Sequence, residues 1–141
     1  MTYTFEDRVP TADEHRHLAE SVGWGHAFAW AAMPASLAAS PAGVVVLLDG
    51  EPVAMGRVVG DGVYYFYVQD VAVHPDHQGR GLGDQILARL VRRVDELAPP
   101  KGFAGLFAAG TSTAFYERHG FAVHPGMTGM FRVVPEREPA R

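Results

Sequence analysis

The clearest pattern in these 141 residues is the segment Val71-Ala72-Val73-His74-Pro75-Asp76-His77-Gln78-Gly79-Arg80-Gly81-Leu82-Gly83-Asp84. The residues before it, 64–70, are aromatic and β-branched, which predicts a strand that continues to Val73. After the glycines, apolar residues recur at helical spacing from Leu82 to Leu97, and charged residues take the opposite face. The segment therefore predicts a strand, a glycine-rich turn and an amphipathic helix.

A glycine-rich turn at the start of a helix can bind an anion. The first N–H groups of a helix have no partner within the helix, and the helix dipole favours negative charge there. Gly79, Gly81 and Gly83 have no Cβ and allow positive φ, so the backbone can approach a ligand closely. We expect a phosphate or pyrophosphate site here; the alternative is a turn that binds nothing.

The spacing of the glycines argues against two common nucleotide sites. A P-loop requires Gly-Lys-Ser/Thr, whereas this loop has Gly-Leu-Gly-Asp. A dinucleotide fold requires a last glycine where Asp84 stands, and an acidic residue at the end of a second strand. Here the predicted helix runs on to Pro99 instead.

Two blocks resemble the GNAT superfamily of N-acetyltransferases. Residues 78–83 resemble the Q/R-x-x-G-x-G/A loop of its motif A, after the V-x-P element of residues 71–75. The second block, Phe115-Tyr116-Glu117-Arg118-His119-Gly120-Phe121, resembles the F-Y-x-x-x-G-F segment near the end of that fold. The resemblance covers residues 44–134 and implies one α/β (α+β mixed) domain over residues 1–141. Its central sheet would be mixed and mostly antiparallel, with helices on both faces.

The resemblance also implies acetyl-CoA as co-substrate, and the residues themselves give us no reason to expect a metal. The pantetheine would lie along the motif strand, with the N–H of Val71 as the oxyanion donor. The Arg80 side chain is expected to contact phosphate; the alternative is a solvated arginine. The cofactor-binding residues are expected at the strand end, the loop and the first helical turn: Val71, Ala72, Val73, Gln78, Gly79, Arg80, Gly81, Leu82, Gly83 and Asp84.

Two residues are candidates for proton transfer. Tyr116 takes the position of the family's general acid, and the pKa of a phenol, near 10, suits protonation of a thiolate. The alternative is a packing role beside neighbouring aromatic rings. Asp70 is the candidate general base; the alternative is a structural hydrogen-bonding role. Glu51, Tyr64 and His26 are further candidates for the base.

The acceptor site is assigned to Trp24, His26 and Tyr64, each of which could instead belong to the core. No Lys or Arg lies between Arg16 and Arg57, and the net charge is −4. A wall with aromatic rings and no basic residues suits a cation. We therefore expect a small, amphipathic amine as acceptor in preference to a peptide.

Composition limits the other classes of function. Without cysteine there are no disulfides or thiolate metal sites, and the histidines form no convincing metal-ligand set. The acidic balance argues against nucleic-acid binding. We see no signal peptide and no apolar run long enough to span a membrane. We expect a cytoplasmic protein, and a homodimer is left open.

Local patterns predict the remaining elements. Thr11 and Glu14 form a capping box before a helix that ends by Gly23, and Asp49-Gly50 predicts a type I′ turn. Helix formers fill residues 27–39, with Pro34 as a kink or new start. Strands are expected at residues 3–9, 44–48, 53–59, 63–73 and 102–108, a short helix at 112–119, a closing hairpin at 121–123 and 130–134, and a frayed tail at 135–141.

These expectations combine into one function. The chain is predicted to move an acetyl group from acetyl-CoA to a primary amine, by direct attack in a ternary complex. Three different functions stay open: transfer from another acyl donor, transfer to a peptide or protein acceptor, and CoA sensing without catalysis.

Overall fold

The computed structural model describes residues 2–137. The chain divides into two compact units, Met1–Leu106 and Phe107–Arg141, and each is described by itself. The single-domain organisation therefore stays a prediction. The strands of the first unit are β1 Thr4–Glu6, β2 Ala42–Leu48, β3 Glu51–Gly60, β4 Tyr65–Val73 and β5 Phe103–Gly105. Its α-helices are α1 Ala12–Ser21, α2 Met33–Ala38 and α3 Leu82–Leu97.

The five strands form one sheet in the order β1-β2-β3-β4-β5. Neighbours from β1 to β4 are antiparallel, and β5 runs parallel to β4. The predicted mixed, mostly antiparallel sheet is confirmed. Asp49 and Gly50, between β2 and β3, have φ values of 51° and 80°. Positive φ at both positions is what a type I′ turn requires, so this prediction is also confirmed.

Helices cover both faces of the sheet, as predicted. Met55 of β3 packs with Leu18 of α1 in a buried cluster. The next residue, Gly56, faces α3: a Cβ built there would lie 2.8 Å from Ile86 Cγ2 and 3.1 Å from Leu90 Cδ1. Because successive strand residues point to opposite faces, α1 and α3 lie on opposite sides of the sheet. Gly56 is thus required for the close approach of α3.

The starts of α1 and α3 follow the sequence patterns. The Thr11 hydroxyl accepts from the Glu14 N–H at 3.2 Å, and the Glu14 carboxylate accepts from the Thr11 N–H at 2.9 Å. This reciprocal cap satisfies two N–H groups that a helix leaves unpaired. The buried residues of α3 recur at helical spacing and form its inner face: Leu82, Ile86, Leu87, Leu90 and Val94.

Three elements differ from the sequence expectation. Residues 27–39 do not form one helix: a 3₁₀ turn at Trp30–Ala32 precedes α2, which has only six residues. Pro34 lies in the first turn of α2, where its missing N–H costs nothing, and its ring disfavours helix before it. β1 and β5 are shorter than predicted, with three residues each.

Within residues 107–137, the second unit contains one short helix, α4 Thr113–Glu117. Gly120 follows it with a φ of 91°, the left-handed conformation expected after a helix. The closing hairpin is wrong, because residues 121–137 contain no strand. Their apolar side chains stay exposed, with Met130 at 85% and Phe131 at 77%. A short apolar segment becomes a strand only when a partner strand and a buried face are present. Of the predicted frayed tail, residues 138–141 lie outside the described residues.

Candidate active site

The loop between β4 and α3, residues 78–83, is called the glycine loop below. Gly79 and Gly81 have φ values of 78° and 76°, and Gly81 is the N-cap residue of α3. As a glycine, this N-cap residue has no side chain that could accept from the first N–H groups of the helix. Gly83 is instead the second residue of α3 and does not have positive φ. The glycine loop therefore lies where the anion site is expected, at the start of a 16-residue helix.

The space in front of the glycine loop is open. A Cβ built on Gly79 or on Gly81 meets no atom of residues 2–137 within 4 Å, and both residues are exposed. A ligand can therefore reach the backbone where a side chain would stand. The loop fits a pyrophosphate, which needs close contact with several N–H groups.

Side chains hold the glycine loop against the end of β4. The Gln78 amide donates to the Val73 carbonyl at 3.1 Å. A 3₁₀ turn at Pro75–His77 lies between them, and His77 Nδ1 and the Tyr3 hydroxyl are 2.8 Å apart. Arg80 is exposed between the two left-handed glycines, and Asp84 is half-buried in the first turn of α3. All ten predicted cofactor residues thus lie on one strand–loop–helix unit.

Asp70, the predicted base, lies at the centre of a buried polar network. Its Oδ2 atom accepts from Arg57 Nε at 2.8 Å and lies 3.0 Å from His15 Nε2. Burial alone would raise the pKa of the Asp70 carboxyl, but the hydrogen bonds from His15 and Arg57 lower it below its usual value. A carboxylate held ionised by two donors is a weak proton acceptor. This geometry favours the structural role, and the general-base role stays a prediction.

His15 and Arg57 were not predicted. His15 is fully buried, and its Nδ1 atom has no hydrogen-bond partner among residues 2–137. The ring of Phe28 contacts it edge-on, with centroids 4.9 Å apart. Two features of the sequence could have indicated these residues. His15 stands three residues before Leu18 on the inner face of α1, and Arg57 is the only charged residue among residues 52–60 of β3.

Titration of Asp70 predicts how stability depends on pH. The folded state lowers the pKa of this carboxyl, so its contribution is present above the unfolded value of about 3.9 and is lost as pH falls through the folded value. We expect Asp70→Asn to lower the free energy of unfolding by about 3 kcal/mol at pH 7, because Arg57 then loses its charged partner. Urea unfolding should show this difference shrinking below about pH 4. A constant difference from pH 7 to pH 3 would contradict the ion pair.

The predicted acceptor residues do not all come together. Trp24 is half-buried and packs on the cluster of Leu18, Met55 and Ala72, so it lies close to the C-terminal end of β4. His26 is exposed in the 3₁₀ turn Gly25–Ala27. Tyr64 lies just before β4, where its carbonyl accepts from the Phe103 N–H at 2.8 Å. It is therefore about 20 Å from Val71 along the strand, and the structure does not place it with Trp24.

Tyr116 belongs to the second unit and lies on α4. Its ring is half-buried beside Phe115, with centroids 4.9 Å apart, and near Phe121 at 6.4 Å. Burial raises the pKa of the Tyr116 phenol above its usual value. The hydroxyl therefore stays protonated at neutral pH, as a general acid requires.

Metal-ligand clusters and membrane-spanning helices are both absent from residues 2–137. No group of three or more His, Cys, Asp or Glu side chains in this range is arranged to hold a metal ion. No helix in the described part of the chain combines the length and hydrophobicity needed to cross a membrane.

Comparison with solved structures agrees with the fold. A probable acetyltransferase from meticillin-resistant Staphylococcus aureus superposes with a TM-score of 0.85 at 22% identity, over 94% of this chain and all of the other. A GNAT-family acetyltransferase from Streptococcus pneumoniae TIGR4 gives 0.79 at 23% identity, over 96% of this chain and all of the other. At such identities the likeness establishes the fold alone.

Curated relatives match the central part of the chain. Serotonin N-acetyltransferase 2, chloroplastic, from Oryza sativa subsp. japonica is 41% identical over 76 residues, 54% of this chain and 37% of the relative. Histone acetyltransferase TAP1 from Glycine max is 35% identical over 80 residues, 56% of this chain and 34% of the relative. The chain thus spans about a third of the length of these two relatives.

The acetyltransferase (GNAT) domain family matches residues 40–123, more than half of the chain. The match includes β2 to β4, the glycine loop, α3 and the segment around Tyr116. With the glycine loop at the start of α3 and the five-stranded sheet already established, this chain belongs to the GNAT acetyltransferase family.

Proposed function

We propose that this chain transfers an acetyl group from acetyl-CoA to a primary amine. One observation carries the proposal: two left-handed glycines, open to solvent, stand at the N-terminus of the long helix α3, directly after β4. The arrangement suits the pyrophosphate of CoA. Family membership supports acetyl transfer as the reaction.

In this proposal, backbone groups of the chain bind and orient acetyl-CoA. The N–H groups at Gly81 and in the first turn of α3 hold the pyrophosphate, and residues 71–73 of β4 align the pantetheine as an added strand. The Val71 N–H donates to the thioester oxygen and stabilises the negative charge that develops there. Acetyl-CoA, when bound, supplies an activated thioester.

Proton transfer completes the proposed reaction. The amine nitrogen attacks the thioester carbonyl, and the carbon–sulfur bond breaks as the tetrahedral intermediate collapses. The Tyr116 phenol gives its proton to the leaving thiolate, and the amine proton passes to a base or to water. The 141 residues contain no cysteine that could form an acyl-thioester intermediate. This composition supports direct attack in a ternary complex.

For the acceptor we propose a small amine with an aryl or alkyl body. The Phe28 and Trp30 rings contact each other in a tilted arrangement, with centroids 5.2 Å apart, beside buried His15, and Trp24 packs close to the end of β4. Apolar rings of this kind suit an amphipathic cation. One face of Trp30 is already covered by the Arg16 guanidinium, 4.9 Å from the ring centroid. The rice relative named for serotonin supports an arylalkylamine.

A protein lysine is the second candidate acceptor. The soybean relative is named a histone acetyltransferase and matches a similar part of the chain. The proposal for a small amine therefore predicts a ranking. Catalytic efficiency should be higher on tryptamine-like amines and polyamines than on short lysine peptides, measured as free thiol released from acetyl-CoA. A clear preference for peptides would contradict the small-amine proposal and favour the protein acceptor.

Thiol release also distinguishes acetyl transfer from a different acyl donor and from CoA sensing. Faster thiol release with succinyl- or propionyl-CoA than with acetyl-CoA would identify another acyl donor. Tight acetyl-CoA binding without turnover on any amine would identify a sensor. A cytoplasmic location and a homodimer remain proposals beside this function.

A further inference from the structure

Strand β4 contains a bulge where the proposed chemistry takes place. Its register with β3 passes from Ala72 opposite Met55 to Gln69 opposite Arg57. Asp70 and Val71 therefore face a single residue, Gly56. Such a bulge disrupts the ladder of hydrogen bonds and turns the backbone locally. The direction of the Val71 N–H is thus determined at Asp70.

Asp70 has a conformation that needs support. Its φ is 57°, in the left-handed region, where a bulge of this kind usually has glycine. Aspartate tolerates this region better than most residues but does not prefer it. A residue in such a conformation persists only where its surroundings hold it there. The support has to come from its side chain or from the neighbouring strand.

Two buried side chains hydrogen-bond to the Asp70 carboxylate. Arg57, from β3, donates to Oδ2 at 2.8 Å, and His15, from α1, lies 3.0 Å from the same atom. Because an ionised carboxylate only accepts, His15 Nε2 is the protonated ring nitrogen. Arg57 is 6% exposed and His15 is fully buried, so little water competes for these bonds. The carboxylate is therefore fixed from two directions.

Arg57 is itself held by α2. Its NH1 group donates to the Ser36 carbonyl at 3.2 Å and to the Ser40 hydroxyl at 3.1 Å. The guanidinium is thus tied to the helix end while its Nε binds Asp70. The network connects α1, α2, β3 and the bulge of β4 through one carboxylate oxygen.

We propose that His15 and Arg57 are positioning residues, which hold Asp70 left-handed at the β4 bulge and thereby aim the Val71 N–H at the thioester oxygen. The inference rests on the proposed function, since it concerns the oxyanion donor of that reaction. Asp70 belongs to the same network, and its left-handed conformation serves to orient the Val71 N–H for catalysis. Loss of either partner frees the carboxylate, and the bulge then relaxes toward a regular ladder with the N–H misdirected.

A structural role alone would lower stability without changing how the acetyl group is bound. The test therefore compares acetyl-CoA with CoA, which differ only in the group that the Val71 N–H contacts. The variants are His15→Leu and Arg57→Gln, with the conservative His15→Gln, whose amide can still donate to Asp70. The matched control is Leu87→Ala, at a fully buried residue of α3 outside the network. Circular dichroism sets a temperature at which every protein is folded.

We expect His15→Leu and Arg57→Gln to lose about 10²-fold in turnover, the order of loss for a misplaced catalytic group. Calorimetry should show nearly unchanged CoA affinity and loss of any preference for acetyl-CoA over CoA. His15→Gln should retain most of the native turnover that His15→Leu loses. Leu87→Ala should turn over at the native rate. Equal turnover in His15→Leu, Arg57→Gln and the control would overturn the inference.

A second readout separates this inference from the proposed function. In nitrogen-15 NMR spectra, acetyl-CoA should shift the Val71 amide of the native chain more than CoA does, and His15→Leu or Arg57→Gln should abolish the difference. If the native chain acetylates no amine, the proposed function fails while the amide shifts still decide the positioning role. The mildest variant, His15→Gln, should retain the shift. If His15→Leu and Arg57→Gln both retain the native shift difference, the network does not aim the N–H.

Discussion

Gly81→Val is expected to abolish CoA binding while the chain stays folded. Gly81 is left-handed, with a φ of 76°, and a Cβ there points into open space in front of the N-terminus of α3. That space is where the pyrophosphate has to lie, so the valine side chain displaces the ligand. The measurement is titration calorimetry with CoA, beside circular dichroism of the helix content.

The control for this prediction separates backbone strain from ligand contact. Gly50, in the turn between β2 and β3, has a φ of 80°, and a Cβ there also meets no atom of the described residues within 4 Å. Gly50→Val therefore carries the same conformational cost, about 1–2 kcal/mol, at a site without a proposed ligand. It should bind CoA normally. Normal CoA binding by folded Gly81→Val would refute the glycine loop as the pyrophosphate site.

Tyr116→Phe is expected to lower turnover by about 10²-fold or more, the usual loss when a general acid is removed. Acetyl-CoA affinity should change little, because the phenol acts late, on the leaving thiolate. Burial raises the pKa of Tyr116, so the acid form persists through neutral pH and is lost only above the usual value of about 10. The native rate should therefore fall at high alkaline pH, and the variant should lack that limb.

Tyr65→Phe is the matched control for loss of a phenol. Tyr65 lies at the start of β4, 51% exposed, and has no role in the proposed reaction. Its variant should keep both the rate and the alkaline limb. If Tyr116→Phe behaved in the same way, Tyr116 would be a packing residue of α4.

The elements of the fold that depend on residues close together in sequence could be predicted. The capping box at Thr11, the turn at Asp49 and the period of α3 each depend on residues within a few positions of one another. The glycine loop is also local, since the strand, the glycines and the helix follow directly in sequence. These elements form the strand, loop and helix on which the proposed cofactor site lies, and the residues named for it stay a prediction.

The parts that depend on distant contacts could not be predicted. His15 and Asp70 are 55 residues apart, and neither residue carries a local sign of the other. The bulge that brings them together arises from the register of β3 against β4, which no single segment encodes. The predicted closing hairpin is wrong for the converse reason: residues 121–123 and 130–134 are rich in apolar side chains but form no strand within the described residues. Tyr64 was assigned from its aromatic ring, and the direction of β4 places it away from Trp24.

The most direct test of the central claim uses acetyl-CoA with an isotopically labelled acetyl group. The chain is incubated with the labelled donor and a panel of arylalkylamines, polyamines and lysine peptides, with Gly81→Val as the inactive comparison. Mass spectrometry follows the label, and thiol release follows CoA. We expect labelled acetyl on the amine nitrogen, in the same amount as free CoA, for the native chain and not for Gly81→Val. Binding of acetyl-CoA without label on any amine, or equal labelling by Gly81→Val, would contradict the central claim.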